Sequence, residues 1–308
     1  MRFWVGVTDR RWFEFLRARH LDEVNFWQPS AKPMFSSIEP GTPFFFKLKR
    51  PLNHIGGYGT FVSFVRLPLS LAWESFGEKN GAATLREFES LIRGINPRAH
   101  EPDPEIGCAL LAKPVFFGDD ALAVAPSDWS SNIVRGKTYS DSTVQGDALL
   151  DLVSPERMDK WGEGRGDVAM EPDAPRYAEP FLARARLGQG TFRALITDAY
   201  SRRCAVTGEN IVPVLEAAHI RPFSEEGPSR LCNGLLLRSD FHKLFDLGYV
   251  TVTPDLRVEV SRTIREEWFN GKAYYRVHGS KLRSVPQQPW SKPGPEFLRW
   301  HNENRYRS

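Results

Sequence analysis

Between Cys204 and Gly248 the chain reads CAVTGENIVPVLEAAHIRPFSEEGPSRLCNGLLLRSDFHKLFDLG, and three polar residues punctuate its apolar runs: His219, Asn233 and His242. They follow one another at gaps of 14 and 9 positions. The flanking runs constrain the local fold. Leu215–Ile220, stopped by Pro222, is expected to be a hairpin strand with His219 near its end. Leu235-Leu236-Leu237 follows an Asn-Gly pair, and SDFHKLFD is expected to be helical, with Ser239 or Asp240 as its cap. Taken singly, a histidine is more often structural or solvent-facing than catalytic. An Asn-Gly pair by itself is an ordinary turn. The joint order and spacing are what demand an explanation.

LEAAHI, then CNGLLL, then FHKLFDLG, preceded by GQGTFRALITDAYSRRCAVTG, resemble the restriction-type branch of the HNH nucleases over residues 181–255. That resemblance implies a ββα-metal site. In it His219 takes a proton from water, a task that suits an imidazole of ordinary pKa near 6.5. Asn233, with both donors and acceptors, ties the hairpin loop shut. His242 on the helix helps hold a divalent metal at the scissile phosphate. Mg²⁺ is the expected ion, with Mn²⁺ or Ni²⁺ as substitutes. The implied reaction is phosphodiester hydrolysis, the metal stabilising developing charge.

Two departures from the family stand out. Many HNH nucleases carry Asp or His immediately before the base, where this chain has Ala218, which cannot coordinate. Glu216 shares Ala218's strand face rather than His219's, which counts against it as a replacement. Asp246, one turn after His242, is expected to end the helix or to support the metal indirectly. Some relatives pin the hairpin with two CxxC pairs. Here only Cys204 and Cys232 are near, so a four-thiolate zinc site is excluded and both are expected to be apolar fillers.

The three cysteines, Cys108, Cys204 and Cys232, argue against a disulfide framework and fit a reducing cytoplasm. No apolar run approaches the length of a membrane span, and the N-terminus lacks a secretory pattern. At 308 residues, 41% hydrophobic and 26% charged, the chain suits two globular domains. Net charge is only +3, but Arg262–Arg307 holds ten Lys/Arg against four Glu. Such an end can neutralise phosphates or simply be a solvated surface.

The expected fold class is α+β: an N-terminal mixed α/β domain over 1–133, which a family resemblance carried by residues 25–59 makes barrel-type, a linker region over 134–180, and a nuclease domain over 181–308. Phe3–Val7, Pro43–Leu48, Thr60–Leu67 and Ile106–Phe117 read as strands. Trp12–Leu21, Leu85–Ile95 and part of Asp147–Met158 read as helices, and Pro51–Gly59 as a loop. In the second domain a helix is expected over Gly190–Arg203 with Thr191 as N-cap, and strands in YVTVT and LRVEV. Trp161–Pro180, rich in Gly, Pro and acids, is the expected exposed linker.

NFWQPS (25–30), PFFFKLK (43–49) and PLNHIGGYG (51–59) resemble the PUA-like superfamily, which includes EVE, ASCH and SRA-type domains. Several of these flip a modified base into an aromatic pocket, where stacking and edge hydrogen bonds offset the cost of extrusion. The resemblance makes Trp27 and Trp129 the best pocket pair. Tyr58, Trp4 and Phe26 are further candidates, Asn25, Asn53 and Asp128 would read polar edges, and Gly56-Gly57 would allow close backbone approach. Aromatics near strands are commonly core residues, so several of these should prove internal.

The combined expectation is a modification-dependent restriction endonuclease acting on modified double-stranded DNA, compatible with a homodimer. One alternative is an HNH enzyme that reads unmodified sequence. Another is a non-catalytic binder of nucleic acid, RNA included.

Overall fold

The computed structural model describes residues 1–96, 101–153, 181–182 and 187–308. The chain divides into two compact units, Met1–Arg184 and Ala185–Ser308.

The N-terminal unit is built on one sheet. Its strands are β1 (Arg2–Thr8), β2 (Glu23–Gln28), β3 (Pro43–Leu48), β4 (His54–Pro68), β5 (Glu105–Phe116), β6 (Ala123–Val124) and β7 (Gly136–Ser140). The triple phenylalanine of β3 explains why this sheet must be covered on both sides. Side chains alternate across a strand. Phe44, Phe46 and Leu48 therefore enter one apolar cluster with Trp12, Phe13 and Leu16, while Phe45 enters another with Phe3, Val5 and Ile55. Each fully buried phenylalanine contributes roughly 2–3 kcal/mol. The first cluster is roofed by α1 (Arg10–Arg17), whose N-cap Asp9 accepts the Trp12 N–H at 2.9 Å. A second helical layer follows: α2 (Leu69–Phe76), which is not among the expected helices, and α3 (Leu85–Ile95), which has the expected bounds and is capped by Thr84.

The barrel expectation is corrected by the strand order, β2-β5-β4-β3-β1-β7, with β6 added beside β4. This sheet is open. A barrel must pair its first and last strands, and among the described residues β2 and β7 do not pair. The reason lies in the covering. The β2 edge carries Trp27, whose indole N–H bonds the Asn80 carbonyl at 2.8 Å and whose ring meets Phe88 of α3 edge-on. Two apolar layers, one on each face, take the place of a single enclosed interior.

Residues 54–59, expected in a loop, are the first part of β4. Phe46 pairs with Gly57 and Phe45 with Tyr58. Glycines usually argue against a strand. Here a Cβ on Gly57, which sits at φ +156°, would lie 2.0 Å from the Val115 carbonyl oxygen. The close approach that the glycines permit is made by the protein's own backbone. Residues 136–150, read as linker, form β7, which pairs antiparallel with β1, and α4 (Val144–Leu150). The linker stretch Trp161–Pro180 lies outside the described residues.

The C-terminal unit begins with α5 (Gln189–Ala199), capped by Gly188; Thr191 is buried inside it rather than capping it. An antiparallel hairpin follows, β8 (Leu215–His219) with β9 (Gly234–Arg238), and then α6 (Ser239–Asp246). The N-cap of α6 is Arg238, without a side-chain cap bond. A small sheet of β10 (Val250–Val252) and β11 (Val258–Val260) leads to α7 (Thr263–Trp268), α8 (Lys272–Tyr275) and α9 (Pro295–Asn304).

His301 fastens α9 to this core. Its ring stacks on Phe245 at 3.7 Å. Its Nε2–H donates to the Phe245 carbonyl at 3.0 Å, and Nδ1 accepts from the Thr251 hydroxyl at 2.8 Å. Both bonds suit the neutral ring, and burial pushes the pKa from 6.5 down to about 4. With the folded pKa below the unfolded one, the unfolded chain binds more protons in acid. The stabilisation is complete above pH 6.5 and is lost as pH falls from there through about 4. At full loss it amounts to something on the order of 3 kcal/mol. His301→Gln, which keeps a donor and an acceptor but cannot titrate, should show a shallower fall of Tm between neutral and acid pH than wild type. Superimposable Tm–pH curves would remove His301 from the account.

Candidate active site

The hairpin register brings the end of β8 to the start of β9: Leu215 pairs with Arg238, Ala218 with Leu235, and His219 with Gly234. The 14-residue gap is thus the loop between two paired positions. Gly234 is extended at φ −131°, so no turn requires it. A Cβ there would fall 2.4 Å from Ile196 and 2.9 Å from Phe192 of α5. The glycine lets α5 press against the hairpin end, and the Tyr200 hydroxyl donates to its carbonyl at 3.2 Å.

Asn233 is completely buried and does what its donors and acceptor allow. Oδ1 accepts the Arg221 N–H at 2.9 Å, while Nδ2 donates to the carbonyls of Arg221 and Pro228, each at 2.9 Å. Its own carbonyl accepts the Ile220 N–H at 2.9 Å. The loop that follows His219 is therefore latched at both of its ends to one residue.

His219 lies flat on Phe192, with centroids 4.0 Å apart and planes 8° from parallel, and its Nε2 is 3.4 Å from the Ser229 hydroxyl. The stack fixes the ring plane. Burial holds its pKa below the ordinary value, and the nearby His242 lowers it further. The imidazole is consequently neutral near pH 7, the form that can take a proton. Neither Phe192 nor Ser229 is identifiable as a partner from the sequence. Phe192 reads there only as part of the apolar face of α5.

His242 sits on α6, whose Phe241 and Phe245 are buried in the core. Its two ring nitrogens face two carboxylates. Nδ1 is 2.6 Å from Glu216 Oε2, and Nε2 is 3.4 Å from Asp246 Oδ2. Glu216, discounted on strand alternation, reaches α6 all the same, because the helix packs across the hairpin within range of a long side chain. Ala218 is wholly buried. Cys204 and Cys108 are buried, Cys232 is half-buried, and all three are free. Cys204 Sγ also accepts the N–H groups of Thr207 and Arg238, at 3.4 and 3.3 Å.

Among the described residues there is no group of three or more His, Cys, Asp or Glu side chains that could hold a metal ion. The geometry says why: the carboxylates stand at opposite nitrogens of one ring and do not converge. One imidazole and one carboxylate still fit a hard divalent ion that keeps several waters, as Mg²⁺ does. The remaining carboxylate then accepts the ring's other N–H and fixes its tautomer.

The N-terminal candidates are scattered. Asn25 is fully buried, its Nδ2 bonded to Asn80 Oδ1 at 2.9 Å and near Cys108 Sγ. Tyr58 is 6% exposed and packs on Phe45 and Phe117. Trp4 packs edge-on against Phe35, and Phe26 lies between Trp12 and Phe44. Trp27 is half-buried on β2, at one sheet edge. Trp129 stacks on Tyr139 of β7, at the other edge, with the Lys47 ammonium 5.1 Å from its ring centre. The two tryptophans do not share a pocket. Next to Trp129, which is not itself in the lining, Asp128, Lys137, Tyr139 and Thr143 help line an open surface depression of about 280 Å³. Asp128 there binds both the Lys137 ammonium and the Tyr139 hydroxyl, which together hold its carboxyl below the usual range.

Residues 204–253 match the family described as HNH endonuclease. No curated protein matches the chain. Among solved structures, it is similar to ASCH from Zymomonas mobilis at 11% identity and TM-score 0.32, over 49% of this chain and 96% of that one. A tyrosine-to-phenylalanine mutant of that same protein gives 11% identity and TM-score 0.33, over 49% and 99%. The modification-dependent TagI restriction endonuclease gives 14% identity and TM-score 0.26, over 92% and 76%. Likenesses this distant leave the function to be argued from the site. The HNH match supports a nuclease-like function for the C-terminal unit. No helix among the described residues is long and apolar enough to cross a membrane.

Proposed function

We propose that the chain is a metal-dependent DNA endonuclease whose N-terminal unit selects modified DNA. The observation that carries the nuclease reading is the latch. Asn233 immobilises the loop beside a stacked, neutral His219, and His242 stands nearby between two carboxylates.

In this reading His219 accepts the proton of the attacking water, and Phe192 keeps its ring from turning away. His242, with Glu216 or Asp246, would hold a divalent ion, Mg²⁺ for preference. Bound there, the ion supplies Lewis-acid stabilisation of the charge developing on phosphate and leaving oxygen. His242→Ala should raise the Mg²⁺ concentration needed for half-maximal cleavage by about 10- to 100-fold, the scale of a damaged metal shell. Calorimetric Mg²⁺ binding that is identical in wild type and variant would take His242 out of the shell.

The reader half is supported by the depression next to Trp129, whose Asp128, Lys137 and Tyr139 offer the mixed donors and acceptors that a base edge needs. Trp27, anchored to Asn80 and Phe88, serves as packing instead. The test is digestion of matched plasmids carrying cytosine, 5-methylcytosine, 5-hydroxymethylcytosine or phosphorothioate links, with Mg²⁺ or Mn²⁺ and with EDTA. Cutting confined to one modified plasmid and abolished by EDTA is the expected result. Equal cutting of all plasmids would leave a nuclease that reads plain sequence. No cutting under any metal would leave a non-catalytic binder.

A further inference from the structure

The basic C-terminal stretch has no part in the chemistry above, yet it carries the most exposed apolar pair of the unit. Trp268 is 66% and Phe269 is 90% exposed, side by side at the end of α7. Solitary exposed aromatics are commonplace, but an adjacent pair projecting from a built turn is not. Phe269 stands at φ +54°, in the left-handed region that bulky side chains avoid.

The turn is held in that state from several sides. The Phe269 N–H closes on the Arg265 carbonyl at 2.9 Å. The Tyr275 hydroxyl donates to the Ser261 carbonyl at 2.8 Å and accepts the Arg265 N–H at 3.3 Å. Asn270 Oδ1 accepts the Gly271 N–H at 2.8 Å, and the buried Ile264 lies under the turn. An apolar tip kept rigid and strained at the surface is the kind of outlier from which function is properly inferred.

Its surroundings identify the occupant. Arg262, Arg265, Lys272 and Arg276 are exposed around the pair. Against them stand Glu266 and Glu267, and Glu267 is already engaged by Tyr249 and by Arg307 at 3.7 Å. A second copy of the chain would bring the same cations to face these four. A polyanion with stacked flat rings satisfies both the charge and the aromatic tip. We propose that Trp268 and Phe269 form a wedge that inserts between base pairs of bound duplex DNA, with the flanking Arg and Lys side chains on the phosphates. This is how apolar side chains kink a duplex, by partly unstacking one step. The proposal rests on the nuclease reading of the same unit and adds to it a site that distorts the substrate.

The test uses the full chain in EDTA, so that binding is read without cleavage, and duplexes carrying 2-aminopurine at one position after another. Wild type should raise the fluorescence at one step. Trp268→Ala combined with Phe269→Gly should abolish that rise and weaken binding by about 10- to 100-fold, the scale of lost base–aromatic stacking. Glycine suits the left-handed backbone, and an unchanged Tm verifies that the turn survives. The salt dependence of binding should stay as in wild type for this variant and become shallower in Arg262→Ala or Arg276→Ala, which remove phosphate contacts. Equal affinity and an equal fluorescence rise in the double variant would overturn the wedge; if wild type then still cuts DNA with Mg²⁺, the nuclease reading stands without it. A wild-type chain that neither binds nor cuts duplex DNA would overturn both. A dimer in ultracentrifugation that the double variant abolishes would make the tip a self-association surface and overturn the wedge as well.

Discussion

His219→Ala is expected to slow DNA cleavage by about 100-fold or more while duplex affinity, measured in EDTA, stays within a few-fold of wild type. The size follows from the role. A positioned base contributes about 10²- to 10⁴-fold, and the imidazole here is stacked on Phe192 at 4.0 Å and held neutral by burial. Binding should survive because phosphate contacts supply most of the affinity for DNA. The fold should survive because His219 is only partly buried and its backbone pairing to Gly234 does not involve the ring. Single-turnover cleavage of a plasmid, with affinity measured in parallel, separates the two quantities. Cleavage within a few-fold of wild type would refute the assignment of the base.

Asn233→Ala should cost more in stability than any other change at the site, and comparable activity. It removes three side-chain hydrogen bonds and leaves the Arg221 N–H and the carbonyls of Arg221 and Pro228 without their partner. A buried polar group left unpaired costs about 1–3 kcal/mol. Water can reach part of this loop, so the total should be on the order of 3 kcal/mol rather than the full sum. The activity falls because Arg221 stands two residues past His219, the last residue of its strand. Asn233→Asp retains the acceptor for Arg221 but loses both donors, so it should fall between alanine and wild type in Tm. An alanine variant that melts with wild type would show that the loop needs no latch.

Much of the C-terminal unit was legible because its signals are local. Strand, turn and helix all lie within Leu215–Asp246, with His219 and Asn233 at the ends of the hairpin loop and His242 on the helix. The partners were not. Phe192 reaches His219 from a helix ending twenty residues upstream, and strand alternation gives no hint that Glu216 meets His242, because it ignores what packs across the strand. His301, remote in sequence, carries no motif, and its place is set by Phe245 and Thr251. In the N-terminal unit the strands of apolar and β-branched residues were readable. The open sheet was not, because closure depends on whether β2 and β7 can meet, which is a property of the whole unit. Composition misled at residues 54–59, where glycines that signal loops are needed for close packing inside a strand.

The buried methyl of Ala218 bears on which substitutions this hairpin can accept. Protein encloses it completely, so position 218 has no solvent beside it. Asp at 218 would place a charge where solvent is absent, a change that costs several kcal/mol unless a partner is already waiting. Glu216 and Asp246, by contrast, are both open to solvent in part, so a change of side chain at either leaves no charge stranded. A library randomised at the three positions and selected for stability should therefore return variety at the two carboxylates and keep position 218 small.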